Sequence, residues 1–229
     1  MKDNNNNNNL FKRLDNEIEE RSVLKHIFYR LWSQGKLTID DLRGYSKEYF
    51  QLVKVVPSFV ENIACMITDP SIKLSISQNI REEKEHIEPW IAFAGALGVP
   101  RNELLNYTGT FKTNDAVSIL GRLTTHSLQE AAATMYAYEI ELPKVSSSKI
   151  DGLKKFYDMN TGTNATNYFE IHKEVDIRHA GLWRTILSDI PAAYKNKDVI
   201  FNSAIKAQEA LNNLLDSVQE TYVKTSTYC

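Results

Sequence analysis

The chain of 229 residues is short of cysteine and of long apolar runs. Its two cysteines, Cys65 and Cys229, lie far apart, so no disulfide framework is indicated and a reducing cytoplasm is the expected location. No apolar stretch is long enough to cross a bilayer, and the start, MKDNNNNNNLFKRL, has asparagines where a secretory signal needs an apolar core. We therefore expect a soluble intracellular protein with a disordered asparagine-rich tail at residues 1–9.

An excess of charge of one sign is also missing. The formal net charge is −2, with lysine and arginine spread along the chain, which argues against nucleic-acid and membrane-surface partners.

Strict apolar alternation bounded by turn residues is absent, so strands are not predicted. Nearly every segment after residue 10 has a helical period instead. The sequence predicts one all-α domain at residues 10–222, a bundle of seven to eight helices, and a C-terminal tail at 223–229.

Turn and cap residues divide this domain into helices. Pro57 should kink the second helix, and Pro89 should kink the third just after His86. Ser71 is the expected cap of the third helix, and Pro143 should end the fourth. The predicted helices cover residues 10–32, 38–67, 71–97 and 114–142, a short segment from about 148, a segment containing 168–183, and 198–221.

The segment YFEIHKEVDIRHAGLW, residues 168–183, places polar groups on a face that should be buried. At about 100° per residue, His172, Asp176 and His179 share one face, together with Tyr168 and Trp183 at its two ends. A buried polar group without a partner costs free energy, and a buried charge costs more. Three interpretations stay open: core histidines with hydrogen bonds, an Asp–His pair at a helix contact, or ligands of iron, manganese or zinc.

Two further helices offer ligand candidates by the same test. Glu139 lines up with an apolar stripe, and Glu83 and His86 form a Glu-x-x-His pair of the kind that holds dinuclear sites in helical bundles. Taken alone, REEKEH is also compatible with a solvated charge run, and Glu82 is an alternative to Glu83. Three imidazoles and three carboxylates are enough for two first-row metal ions, and the absence of cysteine ligands favours iron or manganese over zinc.

Four segments of the chain form a recognisable combination: YFxxHxxxDxxH at 168–179, AYE at 137–139, HIFYRLWSQGKL at 26–37 and NIREEKEHIEPW at 79–90. Together they resemble the haem-oxygenase-like dimetal oxidases, and within these the chain is similar to the group typified by the Chlamydia protein associating with death domains. This group is related to the TenA and PqqC folds. The resemblance implies a TenA-like helical bundle, a homodimer or larger homo-oligomer, two iron ions or an iron and a manganese ion, dioxygen as co-substrate and an external reductant.

The resemblance also implies an activity and a role for individual residues. Members of the group make 4-aminobenzoate for folate synthesis from their own side chains, a tyrosine supplying the ring and a lysine the amino group. In this sequence the matching residues are Tyr29 and Lys149, while Tyr138 and Tyr168 match tyrosines near the metals. The implied metal ligands are Glu83, His86, Glu139, His172, Asp176 and His179.

The sequence departs from that group at one ligand. The group spaces its first glutamate and histidine seven residues apart, but position 79, seven residues before His86, is asparagine here. Glu83 keeps the helical face one turn from His86. Without the resemblance, Tyr29 would be interpreted as a core aromatic and Lys149 as a surface charge. A nitrogen-donor role for Lys149 requires that it lie in the interior, where burial favours the neutral amine.

Three other functions stay open on the sequence alone. An oxidase of the same architecture could act on an external amine, amino acid or fatty acid. A TenA-like thiamin-salvage hydrolase would need a nucleophilic cysteine, and the interior candidate, Cys65, has no evident base beside it. A non-enzymatic protein-binding module, which the name of the resembled group suggests, would not depend on the histidines.

Overall fold

The structure, a computed structural model, describes residues 2–191 and 195–224, with side chains from residue 8 onward. Over these residues it contains α-helices, one 3-10 helix and no strand, so the all-α prediction is confirmed. Eight of the twelve described α-helices have twelve residues or more, in line with the seven to eight predicted. The tail predicted at 223–229 lies mostly outside the described residues. The helices are α1 (Lys2–Glu20), α2 (Ile27–Ser33), α3 (Ile39–Val53), α4 (Val56–Ala64), α5 (Pro70–Glu85), α6 (Ile87–Ala96), α7 (Arg101–Asn106), α8 (Phe111–Leu123), α9 (Leu128–Glu139), α10 (Leu142–Tyr157), α11 (Asn167–Asp189) and α12 (Lys197–Thr221).

Helix α1 begins inside the segment predicted as a disordered tail. Its backbone is helical from Lys2, whereas the sequence predicts a tail at residues 1–9. Asparagine lowers helix stability by only a fraction of a kcal/mol per residue, so it does not stop a helix that has already formed. Leu10 and Leu14 are buried, and α1 packs on α12. The packed half of α1 therefore supports a helix that extends towards the N-terminus.

Two predicted kinks are helix breaks in the structure. Helix α3 ends before α4 begins, and Pro57 lies in the first turn of α4, where its missing N–H is not needed. Helix α5 passes into α6 at His86, whose backbone N–H still donates to the carbonyl of Glu82. The second break falls beside Pro89, as the sequence predicts. It leaves His86 at the junction of two helices.

The predicted fourth helix and one cap are wrong. Residues 114–142 do not form one helix, because Ser127 caps a new helix, α9, after a turn. Pro143 does not end a helix but lies in the first turn of α10, a longer helix than predicted. The cap of α5 is Asp69, whose carboxylate accepts the backbone N–H of Ser71 at 2.8 Å.

The core lies between α11, α12 and the helices that they contact. Helix α12 packs on α1, α3, α8 and α9, and α11 packs on α5, α6, α9 and α10. Trp32, Trp90 and Trp183 are fully buried in this core. The indole N–H of Trp90 donates to the carbonyl of Ser46 at 2.9 Å, which fixes α6 against α3. The inward faces of α3, α5, α6, α9, α10 and α11 therefore enclose one interior region.

The two longest helices are not membrane spans. Helices α11 and α12 have 23 and 25 residues, a length that would suffice to cross a bilayer. No helix among the described residues combines such a length with the required hydropathy. Helix α12 instead has an apolar face that is buried in the core, with Ile200, Ala204 and Leu215 among its residues.

Candidate metal centre

Two compact groups of ligand atoms lie where α11 faces the junction of α5 and α6. Glu83, His86 and His172 form one group, and Glu83, Asp176 and His179 form the other. Within each group, one ligand atom from every residue lies within 4.8 Å of the others. All five residues are exposed by 6% or less. The centre therefore offers two adjacent positions for an ion, which share the carboxylate of Glu83.

The helical period brings these residues together. His172, Asp176 and His179 are buried on the inward face of α11, as the sequence predicts. Glu83 and His86 belong to the last turn of α5 and its C-cap, one turn apart. The imidazole of His86 lies 4.4 Å from that of His172 between ring centroids. Five of the six predicted ligands thus meet in one buried site.

Buried polar atoms without a partner mark the same site. His86 Nδ1, His179 Nδ1 and both carboxylate oxygens of Asp176 form no hydrogen bond among the described residues. In folded proteins, most buried polar atoms are paired, and each exception calls for an explanation. Metal ions at the two positions would provide partners for these atoms. Imidazole and carboxylate without thiolate also suit iron or manganese, so the residues present fit a metal ion.

The ionisable groups of the centre strongly perturb one another. Burial alone would lower the pKa of His179, but the carboxylates of Asp176 and Glu83 outweigh it and raise that pKa to about 11. Burial also acts to raise the pKa of Glu83, yet the imidazole of His179 outweighs it, and the pKa falls well below its usual range. Burial raises the pKa of Asp176 and lowers that of His172. Without an ion, the centre therefore holds protons.

Glu139 lies beside the two groups rather than in them. Its side chain is 1% exposed; Oε2 accepts the indole N–H of Trp183, and Oε1 has no partner among the described residues. Burial raises its pKa, and the carboxylates of Asp176 and Glu83 add to that effect. Glu139 therefore faces the centre from α9 with one carboxylate oxygen that has no hydrogen-bond partner among the described residues.

Glu82, the alternative to Glu83, is engaged elsewhere. Its Oε2 lies 2.8 Å from His179 Nε2, and its two oxygens accept from the guanidinium of Arg178 at 3.0 Å each. Glu82 belongs to neither compact group, whereas Glu83 belongs to both. The geometry therefore favours Glu83 as the ligand.

Five buried tyrosines adjoin the centre. Tyr168 stacks on the imidazole of His172 with 4.0 Å between ring centroids. The phenols of Tyr138 and Tyr49 act on each other's pKa values, as do those of Tyr29 and Tyr45. Burial raises the pKa of each phenol, so all are protonated at neutral pH. The predicted residues Tyr29, Tyr138 and Tyr168 lie in this cluster.

Lys149 lies in the interior, as its predicted role requires. It is 2% exposed on the inward face of α10, and its Nζ donates a hydrogen bond to Tyr45 Oη. The same nitrogen lies 5.4 Å from the ring centroid of Tyr29 and 5.0 Å from that of Tyr49. Burial lowers the pKa of Lys149 well below its usual range. Burial thus favours the neutral form of the amine that faces the tyrosine cluster.

Sequence reasoning missed two members of the cluster. Tyr45 and Tyr49 lie one turn apart on α3 and are 0% and 7% exposed. Their spacing marks the apolar face of that helix, where a tyrosine is more often a core aromatic. The signal that could have found them is the hydroxyl itself, because a buried phenol needs a partner.

This helical bundle, with its buried histidine and carboxylate groups beside tyrosines, is of the class that holds redox metal ions. Residues 43–211 match the family described as iron-containing redox enzymes, and the chain belongs to that family.

Several known proteins are similar to the chain over nearly its whole length. A 4-aminobenzoate synthase of Chlamydia pneumoniae is 32% identical over 89% of this chain and 92% of its own. A 4-aminobenzoate synthase of Nitrosomonas europaea is 29% identical over 93% of each chain. The structure of a TenA homologue from Pseudomonas syringae superposes with a TM-score of 0.81 at 15% identity, over 92% of this chain and 93% of the other. A CADD-like protein from Nostoc punctiforme gives 0.69 at 18% identity, over 95% and 99%. The two structures establish the fold alone.

Proposed function

We propose that the chain is an oxygen-activating dimetal oxidase that makes 4-aminobenzoate from its own side chains. Tyr29 would supply the aromatic ring and Lys149 the amino nitrogen. The synthases that resemble this chain over about nine-tenths of its length support the product. The single observation that carries the assignment of residues is the buried amine of Lys149, 5.4 Å from the centroid of the Tyr29 ring.

The proposed ligands hold two ions, either two of iron or one of iron and one of manganese. When bound, such a pair would supply activation of dioxygen with electrons from an external reductant. The full ligand set is Glu83, His86, Glu139, His172, Asp176 and His179.

Lys149 is held in a form that can act as a nitrogen donor. An ammonium group has no lone pair, whereas the amine that burial favours here has one. Because Nζ donates a hydrogen to Tyr45 Oη, its lone pair is not consumed by that contact. Tyr45 thereby fixes the direction of the amine beside Tyr29.

Aromatic rings connect the metal centre with the cluster around Tyr29. Tyr168 stacks on His172, the indole of Trp90 contacts the rings of Tyr168 and Tyr49, and the rings of Tyr49 and Tyr45 lie 5.4 Å apart between centroids. A phenol that loses an electron also loses its proton, and a neighbouring phenol oxygen can take up that proton only while its own proton moves on. An oxidising equivalent can thus pass along the aromatic rings towards Tyr29 when each phenol proton has such an acceptor.

The space beside Tyr29 favours an internal substrate. The cavity that Tyr29, Tyr49 and Tyr138 line has a volume of about 20 Å³, which holds roughly one water molecule. Sites for external small molecules usually have about 300–1,000 Å³. The hydrolase alternative also lacks support, because Cys65, its candidate nucleophile, is exposed at the end of α4.

The test is a single-turnover reaction of the purified chain. Protein that carries ring-labelled tyrosine and nitrogen-labelled lysine is supplied with ferrous iron, with or without manganese, then with reductant and oxygen. The product should contain both labels, should not exceed about one molecule per chain, and should leave a mass loss that maps to Tyr29. Tyr29→Phe and His172→Ala should release none. Tyr136→Phe, a matched tyrosine bonded to Asp15 instead, should react like the wild type.

An unmodified chain that converts many equivalents of an added compound would contradict self-consumption and favour an oxidase with an external substrate. Product from His172→Ala would exclude the metal centre. We also propose a homodimeric or larger cytoplasmic enzyme, which sedimentation of the purified protein and fractionation of cells test.

A further inference from the structure

Glu82 lies on the outer side of the metal centre and is held there by several contacts. Its Oε2 lies 2.8 Å from His179 Nε2. Both of its oxygens accept from the guanidinium of Arg178 at 3.0 Å each, and the amide of Gln78 donates to Oε1 at 2.8 Å. A bidentate contact between a guanidinium and a carboxylate, such as that of Arg178 with Glu82, fixes the plane of the carboxylate as well as its position. Glu82 is therefore a rigid acceptor next to one nitrogen of His179.

This contact decides which nitrogen of His179 can bind an ion. A neutral imidazole has one N–H donor and one acceptor nitrogen. Because a carboxylate only accepts, the contact with Glu82 favours a proton on Nε2, and an ion that displaces the proton of Nδ1 then finds the lone pair on that nitrogen. That Nδ1 lies 3.2 Å from Glu83 Oε1 and 3.5 Å from Asp176 Oδ1, inside the second ligand group. Nδ1 is thus the atom presented to an ion.

The other histidine of α11 is anchored in the same manner but through the opposite nitrogen. His172 Nδ1 lies 2.7 Å from the carbonyl oxygen of Tyr168, one turn earlier on the helix, and donates to it. Its free lone pair is consequently on Nε2. The two histidines of one helix therefore face the centre with different atoms, and in each case an acceptor holds the nitrogen that faces away.

We infer that Glu82 is a positioning residue of the metal centre, which acts through His179 by orienting the ring and fixing Nδ1 as the ligand atom. The inference rests on the dimetal site of the proposed function. An acceptor on the distal nitrogen of a ligating histidine usually contributes 10- to 100-fold in metal affinity. It also gives the adjacent glutamates different tasks: Glu83 enters the centre, and Glu82, about 100° around the helix, supports it from outside.

The test compares three variants of the full chain. Glu82→Leu removes the acceptor, Glu82→Gln keeps an acceptor oxygen without the charge, and Glu85→Gln is a control on the exposed side of the same helix. The dissociation constant for Mn²⁺ is measured without oxygen, and thermal unfolding without metal checks that each variant is folded. Glu82→Leu should bind Mn²⁺ about 10- to 100-fold more weakly, Glu82→Gln should fall between it and the wild type, and Glu85→Gln should bind like the wild type.

A spectroscopic signature separates positioning from a general effect on the fold. In protein loaded with diamagnetic Zn²⁺, the nitrogen NMR shifts should identify Nδ1 of His179 as the ligating atom and Nε2 as protonated, and Glu82→Leu should weaken this preference. Mn²⁺ affinity in folded Glu82→Leu equal to that of the wild type, or ligation through Nε2, would overturn the inference and leave the proposed function standing. Failure of the wild type to bind any ion would overturn both.

Discussion

Binding of metal ions to the centre should release protons, so affinity should rise with pH. Without an ion, His179 holds an extra proton because the carboxylates of Asp176 and Glu83 outweigh the effect of burial on its pKa. An ion can use Nδ1 only after the proton on that nitrogen has left. Burial raises the pKa values of Asp176 and Glu139, and an ion would displace any proton that either carboxyl group holds. The sign follows directly, since a higher pH favours the deprotonated ligands.

The magnitude can be worked out from His179. Its pKa of about 11 lies far above neutral pH, so nearly every metal-free molecule carries that proton at pH 6 to 8. Displacing one proton makes the apparent affinity rise about tenfold per pH unit, or roughly 100-fold from pH 6 to pH 8. Each proton displaced from Asp176 or Glu139 steepens this dependence. We expect between about one and three protons to be released for a full centre.

Calorimetric titration with Mn²⁺ in buffers of different ionisation enthalpy counts the released protons. His126→Ala is the control, because that imidazole is exposed and lies outside the centre. It should leave the count unchanged, whereas His179→Ala should reduce it. An affinity that does not change between pH 6 and pH 8, with no proton released, would refute the description of the centre as a protonated cluster.

Four further variants test packing and chemistry. In Gly152→Ala the new Cβ would overlap the buried indole of Trp32, so the unfolding free energy should fall by about 1–3 kcal/mol and Tm by roughly 2–4 °C per kcal/mol. Gly181→Ala meets nothing within 4 Å and should not lower Tm. Lys149→Met removes a buried amine and should raise the unfolding free energy by about 1–3 kcal/mol in thermal or denaturant unfolding. The same variant should form no 4-aminobenzoate, and product from it would exclude Lys149 as the nitrogen source. Tyr45→Phe should slow the formation of 4-aminobenzoate about 10- to 100-fold in a time course, because the Lys149 amine loses the hydrogen bond that orients it. An unchanged rate would contradict that role.

The ligand positions on α11 could be predicted because a helix has one period. Three polar residues at i, i+4 and i+7 must share a face, and the flanking Tyr168 and Trp183 identify that face as the inward one. No tertiary information is needed for this step. The same reasoning finds Glu139 on α9 and the pair on α5, and the structure brings five of the six side chains into two compact groups.

Other features depend on how the helices rotate against one another. Glu82 and Glu83 are neighbours in sequence, so only the packing of α5 on α11 decides which carboxylate enters the centre. Tyr45 and Tyr49 have the spacing of ordinary core residues. Their proximity to the amine of Lys149 depends on how α10 packs in the fold, which the sequence of α3 does not show. The turn between α8 and α9 has no glycine or proline in LTTHS, residues 123–127, and this is why one long helix was predicted there.

Several buried polar groups of the proposed site lack the compensation that another buried charge of the core has. Glu48, fully buried on α3, accepts hydrogen bonds from Tyr107, from Tyr222 and from the backbone of Thr110. Lys149, in contrast, forms no ion pair with a carboxylate of the described residues, and Asp176 accepts no hydrogen bond from them. Both are costs to stability that hydrophobic substitutes would avoid. The proposed function accounts for both costs, since it assigns Lys149 a role as an amine with a free lone pair and Asp176 a role as a ligand for an ion.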